Sequence, residues 1–117
     1  MTIQRIKPGS RFASAVCHQG VVYVAGQVAS DPKEDAAGQT RQVLATIDRL
    51  LADAGTDKTR ILQATVYLAD MVDYAAMNSV WDAWVVQDKL PARATVEAKL
   101  AAPQYKVEIV VIAAQSD

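Results

Sequence analysis

The sequence predicts an α+β fold in which two helices stack on one face of a mainly antiparallel sheet. Three observations lead there. Two segments carry apolar residues at helical spacing, five shorter segments are β-prone, and their order is ββαβαββ. Two helices and one sheet are best satisfied as two layers, with both helices on the same sheet face.

Residues 12–17 and 21–25 are short and β-prone, and His18, Gln19 and Gly20 between them supply a glycine for positive φ, so they form a hairpin. Gly26 follows, and Ser30 to Asp35 is a polar surface loop. From about Gly38 to Ala54, Val43, Leu44, Ile47, Leu50 and Leu51 fall on one helical stripe, with Gly55 placed to stop it. In strand 61–68, Leu62, Ala64, Val66 and Leu68 share one face, and Gln63, Thr65 and Tyr67 share a more polar one. A second helix begins near Asp73, with Tyr74, Met77, Trp81, Trp84 and Val85 at helical spacing and Asp70 or Asp73 as its cap, and it ends before Pro91. Strands 92–98 and 106–114 complete the sheet, separated by Pro103.

The last strand is apolar on both sides. Val107, Ile109, Val111 and Ala113 form one face, and Val110 and Ile112 stand on the other. If the helices cover one sheet face, something else must cover the second, and self-association is the simplest cover.

The chain has 117 residues, enough for one domain with its own core. Its 51% hydrophobic content excludes disorder and low-complexity classes. With 12 Lys and Arg against 13 Asp and Glu there is no positive field for nucleic acid. The residues before the first strand lack a secretory pattern and no run is long enough to span a bilayer, so the expected setting is the cytoplasm, with no membrane partner. One cysteine and one histidine give neither a disulfide nor a metal cluster, and no metal is expected.

Chemistry concentrates on two residues. Alternation along 92–98 puts Ala92, Ala94, Val96 and Ala98 on one side, suited to the helix layer, and Arg93, Thr95 and Glu97 on the other, so Arg93 is expected to project from the open sheet face. A guanidinium fork held there seeks a carboxylate through two parallel hydrogen bonds. Glu108 interrupts the Val/Ile run beside Val110 and Ile112, where a carboxyl can act as general acid or base. Two readings stay open from spacing alone: a ligand site, or a structural ion pair of Arg93 with Glu108 within the chain or across an interface.

Other residues tempt less. His18 reads as a hairpin surface residue without a nucleophile nearby, and Cys17 as a structural thiol without a base. Trp81, Trp84 and Met77 follow the packing stripe, Lys33, Lys58 and Arg60 are dispersed solvated charges, and Gly9 and Gly38 belong to no phosphate-cradling pattern.

The stretch Pro91 to Ala98, followed by Lys106 to Ile109, resembles the signature of the RidA/YjgF family of reactive-intermediate deaminases, including the interval from arginine to glutamate. Ala25-Gly26-Gln27 after the second strand and Asp73 to Asn78 at the second helix also match, and Trp81 to Val86 is especially similar to the YoaB-like branch. The resemblance runs along essentially the whole chain. It implies a chorismate-mutase-like fold, a homotrimer with sites in the clefts between subunits, and cofactor-free hydrolysis of enamines and imines such as 2-aminoacrylate to 2-oxo acids and ammonia. Carried over by position, Arg93 clamps the substrate carboxylate, the backbone of Thr95 and Gly26 lines the pocket, Glu108 positions or activates water, and Asn78 lies near the cleft. Phe12 stands where many relatives have tyrosine and Ala25 where serine is common, so two hydroxyls are missing from the implied pocket. The alternatives are a non-catalytic trimeric module binding small carboxylates or 2-oxo acids, and an endoribonuclease or translation inhibitor. The missing basic patch and histidine pair count against the latter.

Overall fold

A computed structural model describes residues 2–116. Its sheet has six strands: β1 (Gln4–Pro8), β2 (Ala13–His18), β3 (Val21–Gln27), β4 (Ile61–Leu68), β5 (Ala92–Glu97) and β6 (Val107–Ala114). Two helices, α1 (Ala36–Asp53) and α2 (Tyr74–Trp84), interrupt the series. The spatial order is β1-β2-β3-β6-β4-β5, antiparallel except for the β4–β5 pair, so the two-layer α+β expectation holds. The structure adds one strand to the expected order. β1 has a single buried residue, Ile6, and includes Lys7 at positive φ and Pro8, so no alternating pattern announces it.

Local chemistry accounts for the elements. Gln19 and Gly20 both take positive φ between β2 and β3, the condition for a two-residue type I′ hairpin turn. At the start of α1 the Asp35 carboxylate accepts from the Gly38 amide at 2.9 Å. At its end Gly55 has φ 79, its amide donates to Ala52 and that of Thr56 to Leu51, which together make a Schellman stop. A 3₁₀ turn, Met71–Asp73, precedes α2. Of the two expected caps, Asp70 acts, accepting from Val72, whereas the Asp73 side chain makes no capping bond.

The α1 stripe of Val43, Leu44, Ile47, Leu50 and Leu51 is buried, and it meets Val22 and Val24 of β3, Ala64, Val66 and Leu68 of β4, and Val107, Ile109, Val111 and Ala113 of β6. Met77 and Trp81 close the core from α2, as their spacing predicted. Cys17 is in the same core, and burial pushes its thiol pKa up. One expectation fails in β4. The pairing slips between Ile61 and Gln63, so Ile61 is buried in place of Leu62, which is turned out to solvent.

The opposite face carries Tyr23, Gln63, Thr65, Tyr67, Glu108, Val110 and Ile112, by alternation with the buried set. Tyr23 and Val96 are exposed there. Among the described residues no helix is long and apolar enough to cross a membrane.

Candidate functional site

Arg93 is not on the open face. In the parallel β4–β5 register it pairs with Ala64, and Thr95 pairs with Val66, both buried residues of the helix side. The small residues Ala92, Ala94 and Val96 therefore face away from the helices, reversing the expectation from alternation. The reason is that a guanidinium has flat faces that tolerate aromatic contact, and α2 presents such contacts at the sheet edge. The Arg93 Cζ lies 5.1 Å from the Trp81 ring centroid and 6.0 Å from that of Tyr74. One Nη approaches the Met77 sulfur at 3.8 Å.

Arg93 forms no ion pair and donates to no oxygen among the described residues, although it is half-buried. Two residues along the same face, the Thr95 hydroxyl is enclosed and also lacks a hydrogen-bond partner. β5 is an edge strand, so alternate backbone N–H and C=O groups point away from the sheet as well. Unpaired buried donors are costly unless a ligand or partner completes them. The arrangement is a cationic, hydrogen-bonding strip along one edge. Asn78 shares the α2 stripe of Tyr74, Met77 and Trp81, and its amide makes no hydrogen bond with the described residues.

Glu108 is elsewhere. It pairs with Tyr67 on the open face, while Arg93 lies two strands away and on the helix side. Neighbouring strands are about 4.8 Å apart, so the strand axes alone separate the two residues by about 10 Å before the sheet's thickness is counted. An Arg93–Glu108 pair within one chain is thereby ruled out. The ion pair found among the described residues is Lys7 with Asp53, both largely exposed, and such pairs contribute little.

The Glu108 carboxyl is folded over Gly26. β3 and β6 lose register between Val24 and Gln27, and this irregularity brings the Gly26 backbone under Glu108. A Cβ on Gly26 would collide with Glu108 Oε2 and approach its carboxyl carbon to 3.0 Å, so a side chain here would push the Glu108 carboxyl out of its place. Ala25 is half-buried next to it, and Phe12 is exposed, 68% open to solvent. Tyr67, directly across from Glu108, brings a phenol to this face that sequence reasoning noted only as part of a polar side. His18 differs from expectation: it is half-buried, and its Nδ1 is enclosed without a partner. Among the described residues no three of His, Cys, Asp and Glu gather as a metal-holding group.

The chain is similar to known proteins along nearly its whole length. The family model described as Endoribonuclease L-PSP matches residues 2–115. A RutC family protein of Haemophilus ducreyi is 53% identical, the match covering 96% of each chain. The RutC family protein YoaB of Escherichia coli is 47% identical over 97% of this chain and 99% of that protein. A crystal structure of a YjgF family member from Neisseria meningitidis superposes with a TM-score of 0.98 at 48% identity, covering 100% of this chain and 98% of that one.

Proposed function

Because the chain belongs to the RidA/YjgF family, whose model is described as Endoribonuclease L-PSP and whose members include RutC proteins, we propose that it is a cytosolic, homotrimeric hydrolase that converts 2-imino acids and their enamine tautomers to 2-oxo acids and ammonia. The observation that carries this reading is the fork of Arg93, held half-buried with no carboxylate partner among the described residues. A small 2-imino acid supplies that carboxylate, and the unpartnered Thr95 hydroxyl and edge-strand backbone supply the adjoining polar contacts.

Arg93 and Glu108 stand on opposite faces of the sheet, so one protomer cannot bring both to a substrate. A second copy set against the open face brings its Glu108 to the Arg93 edge of the first, and the apolar Val110, Ile112, Tyr23 and Val96 supply surface for that contact. In the cleft Glu108 takes a proton from water as the oxygen bonds to the imine carbon. The C=N π pair moves to nitrogen, which takes that proton to give a carbinolamine. The hydroxyl proton then passes to nitrogen through the same carboxyl as the carbon–oxygen double bond forms and the carbon–nitrogen bond breaks, so ammonia leaves with a 2-oxo acid behind. No electron transfer is involved, and the barrier is lowered by orientation and by the placed base. The endoribonuclease reading has less support, since the chain has a single histidine and a net charge of -1.

The test is ammonia and 2-oxo acid release from imino acids generated enzymatically from alanine, leucine and serine. With Phe12 and Ala25 offering no hydroxyl, the leucine-derived imine is expected to turn over faster than the serine-derived one by about tenfold. Equal or reversed preference would sink the specificity argument, and no acceleration of any imine would sink the deaminase reading. Gly26→Ala gives a second check. Its methyl displaces the flexible Glu108 carboxyl rather than backbone, so the thermal midpoint is expected to hold while kcat falls about 10²-fold. Full activity in that variant would show that the Glu108 position does not matter.

A further inference from the structure

We propose that Trp81, assisted by Met77 and Tyr74, is a positioning element that holds the Arg93 guanidinium by its face and leaves its N–H edge free for a carboxylate. The proposal rests on the deaminase reading for the identity of the ligand, but not for the geometry.

Proteins usually hold a half-buried arginine with an acidic side chain. Here a carboxylate in that role would occupy the very donors a substrate needs and would cancel the charge that attracts it. An aromatic ring offers the other solution. It attracts the cation through its π face, satisfies none of the in-plane donors, and restricts the guanidinium's rotation. The distances fit that arrangement. Cζ of Arg93 lies 5.1 Å from the Trp81 centroid and 6.0 Å from that of Tyr74, while the Met77 sulfur, 3.8 Å from one Nη, is a weak acceptor that an incoming carboxylate easily outcompetes.

The anchor itself is fixed. Trp81 is only 6% exposed and packs at a tilt against Trp84, with ring centroids 5.7 Å apart. The Trp84 indole N–H in turn donates to Asp48 of α1 at 2.9 Å. The chain of contacts thus runs from α1 through two tryptophans to the arginine, and Glu97, accepting from the Met71 amide at 2.9 Å, ties the start of the α2 region to β5 itself. Helix and edge strand are therefore held in register where Arg93 projects.

The experiment uses the assembled wild-type protein and three variants, Trp81→Leu, Trp81→Phe and Tyr74→Leu. Two readouts are taken: the NMR shifts of the Arg93 δ-methylene protons, and the affinity for 2-oxobutanoate with the KM and kcat of imine hydrolysis. Wild-type Arg93 protons are expected upfield, shifted by the ring current. Trp81→Leu should abolish most of that shift and raise the 2-oxobutanoate Kd and the KM about tenfold, with a smaller change in kcat. Trp81→Phe, which keeps a π face, should recover most of both. Tyr74→Leu changes an exposed ring and so leaves the core intact. It should shift both readouts in the same direction by less, and it serves if Trp81→Leu does not fold.

Unshifted Arg93 protons in the wild type, or a shift and Kd indifferent to both leucine variants, would overturn the proposal. Failure of phenylalanine to recover more than leucine would do the same, because packing volume alone would then explain the effect. A wild type that shows the ring-current shift and its loss in Trp81→Leu, yet neither binds 2-oxobutanoate nor hydrolyses imines, would uphold the positioning and remove the deaminase reading.

Discussion

Arg93→Ala is expected to lower kcat/KM for imine hydrolysis by about 10²- to 10³-fold, the loss of a charge-assisted bidentate contact worth about 3–4 kcal/mol. The substrate carboxylate is present both in the ground state and in the transition state, so much of the loss should appear in KM, with a further fall in kcat from misorientation. The fold should tolerate the change. Arg93 stands on an edge strand, forms no ion pair among the described residues, and meets Trp81, Met77 and Tyr74 of α2. Arg93→Lys should recover only a minor part, because an ammonium keeps the charge but not the fork or the flat face that meets Trp81. Steady-state kinetics beside a thermal melt separates these effects. Activity of Arg93→Ala within about threefold of wild type would be too small a loss for a buried charge-assisted contact and would show that the arginine does not hold the substrate.

The second large effect concerns stability. Gln39→Leu is expected to cost about 2–4 kcal/mol and to lower the thermal midpoint by about 10 °C at fixed protein concentration. Gln39 is completely buried on α1, and its carboxamide is fully used. Its Nε2 shares two hydrogens among the carbonyls of Pro32, Glu34 and Gln104, each at 3.1 Å, and its Oε1 accepts from the Lys106 amide at 2.9 Å. One side chain thereby joins the loop before α1 to the loop before β6. Leucine fills similar space but leaves the four backbone groups to find water at the protein's surface, which is why the expected cost is below the sum of four buried losses. A midpoint change of only one or two degrees would mean that water replaces the amide without penalty.

Much of this architecture was legible in the chain itself. The α1 stripe, the Gly20 turn, the Gly55 stop and the fully buried side of β6 follow from spacing and backbone chemistry alone. So does the placing of Val110 and Ile112 on the second sheet face. What failed was the assignment of faces where two periods compete. Alternation fixes that Arg93 and Ala94 point oppositely, but not which of them meets the helices, and size and polarity gave the wrong answer because α2 offers aromatic faces to a cation. Leu62 was misplaced by a register slip that no residue type marks. Gln39 escapes a reading by spacing because a polar residue at the edge of an apolar stripe looks solvated until its four partners, from two loops distant in sequence, are brought together. Arg93 and Glu108 were both recognised as chemically exceptional. Their separation onto opposite faces required the strand order, in which β6 lies inside the sheet and β5 at its edge.

That separation makes the central claim directly measurable. Arg93→Ala and Glu108→Gln chains are each expected to be nearly inactive as pure assemblies. Unfolded together and refolded as mixed trimers in equal amounts, they should regain about a quarter of wild-type activity, since a random cyclic trimer pairs an intact Arg93 with an intact Glu108 at one interface in four. No recovery in verified mixed trimers would contradict a site shared between subunits, and with it the account of how this chain performs its chemistry.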